Sequence, residues 1–159
     1  MSQRGARRVD ELSKRLAKAK RIGLDTPLFI YFFEDNERYS PLAKIAFDGI
    51  EKGKWQGVTS TITLMEVTVR PWQLGRELAA REYEAVLAHF PNLSVVDVDR
   101  NVARAAAQLR AKYNVSPPDA LQVAASLSFG AKSFLTNDRK LSRLNELIDI
   151  LVLEDFIGE

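Results

Sequence analysis

Five short apolar runs, separated by longer stretches with helical spacing, constrain this chain more than any other feature. The runs cover residues 21–25, 55–59, 94–98, 133–136 and 149–153. Short runs of this kind, alternating with helices, fit strands that pair in parallel and are covered on both faces by their crossover helices. The expectation is an α/β fold, a three-layer α/β/α sandwich around a central parallel sheet of about five strands. Thr26-Pro27 starts a helix through residue 33. Pro41 starts another, with Leu42, Ile45, Ala46 and Ile50 on one face. The pattern then predicts a helix over 61–70 that ends before Pro71, and a long helix over 72–90 striped by Ala79, Tyr83, Val86 and Phe90. Val102, Ala105, Ala106, Leu109 and Tyr113 mark the next helix. A nearly all-apolar one runs from residue 117 to about 129, and a short basic one joins the last two strands.

Composition removes several kinds of chemistry. The 159 residues include no Cys and one His, so thiolate nucleophiles, zinc knuckles, disulfide frameworks and paired-histidine sites are all excluded. His89 ends a helical stretch, where a cation is favourable. A chain of this length buries roughly 70% of its unfolded surface, enough for one core without staples. No apolar run approaches the ~20 residues of a membrane span, and the basic N-terminus lacks the apolar segment of a secretory signal. The expectation is one cytoplasmic protein with no membrane contact.

Charge is unevenly spread. The net charge is +2, yet residues 1–21 carry +6 through Arg4, Arg7, Arg8, Lys14, Arg15, Lys18, Lys20 and Arg21 against Asp10 and Glu11, leaving −4 for the rest. Such a division suits a nucleic-acid binder with a metal site, and equally a solvated helix face. Val9, Leu12, Leu16 and Ala19 recur at helical spacing, so residues 1–21 read as a basic, amphipathic helical extension ahead of one domain over 22–159. Its apolar stripe must dock on the body of the domain or on a second subunit.

Four acids hold the candidate chemistry. Ligands of open α/β sheets bind at the carboxyl ends of the strands, where Asp25 and Asp138 fall. Glu66 lies in the helix after the second strand and Asp119 begins another helix. Each has a structural alternative: Asp25 as an N-cap, Asp119 as the last member of a capping box from Ser116, and Asp138 as a cap or turn residue. Glu66 shares a face with Ile62, Met65 and Val69, and an ionised group on an apolar stripe needs a cation or a route to solvent. Converging carboxylates raise one another's pKa and are steadied by divalent cations. Oxygen donors without His or Cys favour Mg²⁺ or Mn²⁺ over zinc, and phosphoryl transfer is the chemistry such sites serve.

The helix Pro117-Pro118-Asp119-Ala120-Leu121-Gln122-Val123-Ala124-Ala125 and the strand end Leu135-Thr136-Asn137-Asp138 together resemble the PIN-domain ribonucleases. Leu24-Asp25-Thr26 and the helix from Thr61 through Glu66 to Val67 look like the first two motifs of the same family, in the family's order, and the resemblance covers about residues 21–153. In size and motif style it is nearest the VapC-type toxins of toxin–antitoxin pairs. The resemblance implies a PIN-like fold in which Asp25, Glu66, Asp119 and Asp138 bind Mg²⁺ or Mn²⁺, supported by Thr136 and its neighbour Asn137. It further implies an endoribonuclease that hydrolyses RNA phosphodiester bonds with a metal-activated water, a small antitoxin protein as inhibitor, and a homodimer.

Arg139, Lys140 and Arg143 follow Asp138 and are candidates for substrate phosphates, or else a solvated helix face. Trp55, Trp72 and Tyr39 receive no role. Compact relatives begin almost at the first strand, whereas here about 21 residues precede it; an extension that binds RNA phosphates, one that covers a dimer surface, or a stand-alone PIN nuclease without antitoxin fits that departure. A haloacid-dehalogenase site would need a second acid where Pro27 stands, and a receiver domain would need an acidic pair that the first strand lacks. The remaining alternative is a non-catalytic PIN-like module that binds RNA or protein.

Overall fold

The hydroxyl of Ser2 accepts a hydrogen bond from Gly5 N (3.0 Å) and so opens a helix, α1, over Gln3–Ala19. In this computed structural model, which describes residues 2–158, β1 (Arg21–Leu24), α2 (Thr26–Phe33), α3 (Ser40–Glu51), β2 (Gln56–Ser60) and α4 (Thr61–Gln73) follow. The chain continues through α5 (Glu77–His89), β3 (Leu93–Val96), α6 (Arg100–Tyr113), α7 (Pro117–Ser128), β4 (Ser133–Thr136) and β5 (Asp149–Val152). Two 3₁₀ turns, Arg139–Leu144 and Leu153–Phe156, flank β5.

The five strands form one all-parallel sheet in the order β3-β2-β1-β4-β5. From β1 the chain builds outward to β2 and β3, then returns to the other side of β1 for β4 and β5. The switch point therefore lies between β1 and β4, and a crevice opens beyond their carboxyl ends. Helices cover both faces. Ile22, Leu24, Leu135 and Leu151 meet α1, α2 and α3, while Phe134, Ile150 and Val152 meet α6 and α7. Alternate residues of one strand thus feed two separate cores. At Gly23 a Cβ would stand 2.3 Å from Ser126 Oγ, so only glycine lets α7 rest directly on the central strand.

The sandwich, its sheet and the amphipathic first helix are as the sequence implies. Leu12 and Leu16 are fully buried in the same core as α2 and α3, so α1 docks on the body of its own chain. Two helix boundaries differ from expectation. α4 runs on through Pro71 to Gln73, because Pro71 is buried and only the last turn bears its missing N–H. The break comes at Gly75, whose φ of +68° is left-handed, and α5 restarts at Glu77. The stripe on α5 shifts with that restart: Ala80 and Leu87 are buried and Tyr83 half-buried, whereas Val86 is exposed. Among the described residues, no helix is long and apolar enough to cross a membrane.

Candidate active site at the carboxyl edge of the sheet

Asp25 follows the last residue of β1 and caps α2. Its Oδ1 accepts from Thr26 N (2.9 Å) and its Oδ2 accepts from Thr136 Oγ1 (2.7 Å), so the N-cap role and a place in the crevice are one arrangement. Thr136 ends β4, the strand beside β1, and its hydroxyl also accepts from Asp138 N (3.1 Å). One threonine therefore ties two acids from the strands flanking the switch point. Asp138 itself accepts from Lys140 N (3.0 Å), capping the 3₁₀ turn.

Asp25 is only 6% exposed and its pKa is pushed up from 3.8 to about 7. Burial is the largest cause; the negative charges of Asp119 and Glu66 add to it, and hydrogen bonds from Thr136 and Thr26 oppose it. Asp119, half-buried in the first turn of α7, is also raised, again first by burial; the Ser116 hydroxyl opposes that, and the charge of Asp138 adds to it. Mutual repulsion, expected where carboxylates converge, adds to both shifts. Desolvation dominates, because the central strands carry Asp25 below the surface before the other acids reach it. The capping box at Ser116 does not form, since Ser116 makes no side-chain cap bond.

Glu66 stands differently from its sequence reading. Met65 is 57% exposed and Val69 is also exposed, so that face of α4 looks outward while Thr63, Val67 and Pro71 turn inward. Glu66 lies at the boundary and accepts from Thr26 Oγ1 (2.7 Å). Behind it lies a fully connected polar web that sequence reasoning missed. Ser60 Oγ donates to Gln122 Oε1 (2.6 Å), and Gln122 Nε2 donates to Thr26 Oγ1 (3.0 Å) and Thr63 Oγ1 (2.7 Å). Thr59 Oγ1 sends its proton to Leu24 O, so Thr63 donates to Thr59 and Thr26 is left to donate to Glu66. From Gln122 the web divides: one branch runs through Thr26 to the Glu66 carboxylate, and the other through Thr63 and Thr59 to the carbonyl of Leu24. The available signal was Gln122, one turn beyond Asp119 in an otherwise apolar stretch.

The supporting residues divide. Thr136 serves Asp25 directly. Asn137 is committed to the scaffold: its Nδ2 donates to the Tyr31 hydroxyl (3.1 Å) and its Oδ1 accepts from Glu154 N (3.1 Å). Lys140 and Arg143 line a cleft of about 550 Å³ with Asp119, Asp138, Ser116 and Arg110, whereas Arg139 pairs with Asp155 (2.6 Å) away from it. Trp55 is core, donating to Ala46 O, and Tyr39 stacks on Tyr31 and donates to Glu154.

Among the described residues no three His, Cys, Asp or Glu side chains stand close enough together to share an ion as a ready-made cage. The donor set nevertheless fits one kind of cation. It is all oxygen, each Asp25 oxygen keeps a second lone pair beyond its hydrogen bond, and Mg²⁺ is commonly held by one or two carboxylates while retaining several waters.

Four acids thus stand around the switch point of a parallel sheet, and the sequence identifies the family. The PIN domain model matches residues 22–147, so the chain belongs to the PIN domain family. No curated protein matches the sequence. Solved structures share the fold. A chain of a toxin-antitoxin complex from Klebsiella pneumoniae is 20% identical with a TM-score of 0.61, over 84% of this chain and 97% of that one. A chain of VapBC2 from Rickettsia felis, bound to a DNA fragment from its promoter, is 14% identical with a TM-score of 0.62 over 83% and 98%. A chain of DNA-bound VapBC from Salmonella typhimurium is 26% identical with a TM-score of 0.59 over 84% and 98%.

Proposed function

We propose that this protein is a metal-dependent endoribonuclease and the toxin of a toxin–antitoxin pair. The observation that carries the proposal is the juxtaposition of Asp25, Glu66, Asp119 and Asp138 around the switch point of a PIN-family sheet, where their charges add to the upward shift that burial gives Asp25 and Asp119. Kinship with chains from toxin-antitoxin complexes supports the toxin part.

In this reading Asp25, Asp119 and Asp138 would hold Mg²⁺ or Mn²⁺, and Glu66 would complete the set directly or through water. Such a cation supplies charge neutralisation at a phosphodiester and acidifies water. The chain supplies the rest. Thr136 fixes the Asp25 carboxyl on one side and the backbone of Asp138 on the other. Gln122, through Thr26, holds Glu66 in one orientation. Lys140 and Arg143 offer positive charge to RNA phosphates entering the cleft beside Asp119.

The partner part rests on the outer face of α4, the turn after it and the start of α5. Met65, Val69, Trp72, Leu74 and Leu78 are all exposed, and a run of this kind suits a protein partner such as a small antitoxin or a second copy.

The test is cleavage of a mixed RNA pool by the native protein and by Asp119→Asn, each with Mg²⁺, Mn²⁺ or EDTA. Cleavage that needs the metal and disappears in the variant is the expected result. A folded, inhibitor-free protein that leaves RNA intact in every condition would instead make this a binding module.

A further inference from the structure

The basic face of α1 takes no part in the site above. At about 100° per residue, Arg4, Arg7, Lys14 and Lys18 fall on one arc turned away from buried Leu12, Leu16 and Ala19, with Glu11 among them, while Arg8 and Arg15 flank the buried stripe. Two of these cations anchor the helix. Arg15 grips both oxygens of Asp149 at the start of β5 (2.6 and 2.8 Å), and Arg8 donates to Ile157 O (2.7 Å). A Cβ on Gly158 would stand 1.9 Å from Gly5 Cα, so Gly158 is pressed against the first turn of α1. Arg4, Arg7, Lys14 and Lys18 are exposed and make no hydrogen bond or ion pair with any described residue. Lys14 and Lys18 share a groove of about 700 Å³ with Lys132, Glu11 and the Arg15–Asp149 pair, at the end of the sheet opposite the carboxylates.

A helix docked on the core that presents two pairs of unpaired cations, Arg4 with Arg7 and Lys14 with Lys18, on either side of Glu11 is a positive surface about 21 Å long. The remainder of the chain carries −4, so that positive charge is concentrated here. We propose that this face of α1, with Lys132, is a second docking surface for the phosphodiester backbone of single-stranded RNA, outside the carboxylate cleft. The choice of RNA among polyanions rests on the ribonuclease reading; the surface itself does not. A basic amphipathic helix also suits an anionic bilayer, but that mode buries an apolar face in lipid, and α1 has already spent its apolar face on the protein core.

The test uses the whole protein in EDTA, where RNA is bound and not cut. Binding of a labelled single-stranded RNA of about 20 nucleotides, long enough to span such a surface, is followed against salt. The protein is compared with a variant carrying Arg4→Gln, Arg7→Gln, Lys14→Gln and Lys18→Gln, and with the two double variants that split it. The full variant is expected to melt like the parent, to bind about tenfold more weakly or worse, and to lose about 3 from the slope of log K against log salt, at about 0.7 per phosphate contact. Each double variant loses about half of that slope. Cleavage of a substrate of about four nucleotides, too short to reach α1, stays at the parent rate while longer RNA is cut with a raised KM.

Unchanged affinity and slope in all three variants would overturn the proposal. So would stronger binding of phosphatidylserine vesicles or polyglutamate than of RNA through the same residues. The two readings fail separately: a protein that binds RNA through α1 but never cuts it contradicts the nuclease and leaves the docking surface standing.

Discussion

The two sides of the crevice are built on opposite principles. On the inner side Asp25 is buried, both of its oxygens are hydrogen-bonded, and a closed relay from Ser60 through Gln122 and Thr26 orients Glu66. On the outer side Asp119 and Asp138 face an open cleft with Lys140 and Arg143. The inner side fixes geometry at the cost of a carboxyl that resists ionising. The outer side leaves oxygens free to exchange ligands. The fold provides both by placing one acid at the end of a central strand and another at a helix start.

Four substitutions or conditions probe this division. The largest effect belongs to Asp119→Asn, which removes one carboxylate from the outer side while leaving the inner web intact; on the proposed function, metal-dependent RNA cleavage should fall by about a hundredfold or more with little change in melting temperature. A comparable loss accompanied by unfolding would mean that Asp119 is structural.

The next effect is on stability against pH in metal-free protein. Because the Asp25 pKa is raised from 3.8 to about 7 in the folded state, the native chain holds a proton that the unfolded chain releases. This contribution is fully present below about pH 4, is lost as the pH climbs toward about 7, and is on the order of a few kcal/mol. Chemical denaturation across that range should show the decline, and Asp25→Asn should flatten it.

Gln122→Leu should cost about 1–3 kcal/mol by leaving Ser60, Thr26 and Thr63 short of partners. It should also lower kcat more than it raises KM, because Glu66 loses its fixed orientation while the outer cleft is untouched; an equal change in both would separate Glu66 from the reaction. The smallest effect distinguishes two neighbours. Lys140→Gln should raise KM for RNA by a few-fold, about 1 kcal/mol, and Arg139→Gln, whose charge is spent on Asp155, should change it hardly at all.

Much of the architecture could be read from the alternation of short apolar runs and helical stretches, since a parallel sheet buried on both faces leaves that pattern in any sequence. What escaped was tertiary. Pro71 reads as a helix end, and only the packing of its ring inside α4 shows otherwise. The Ile62, Met65 and Val69 stripe reads as a core face, yet its outer members are exposed. The acids at strand ends were visible because position along a strand is a one-dimensional property. The Gln122 relay was not, because its members come from β2, α2, α4 and α7 and meet only after folding. Asn137 and Arg139 sit beside Asp138 in sequence but are taken up by scaffold contacts with Tyr31, Glu154 and Asp155, which adjacency along the chain does not disclose.

The central claim is that inner and outer carboxylates hold one kind of cation together. Calorimetric titration of Mn²⁺ into the protein at pH 7, repeated in buffers of different ionisation enthalpy, addresses it most directly. The account predicts saturable binding that expels part of a proton, because the cation displaces it from Asp25, with proton release lost in Asp25→Asn and affinity reduced about tenfold or more in Asp119→Asn. Binding that is equally tight in both variants, or no binding at all, would contradict it.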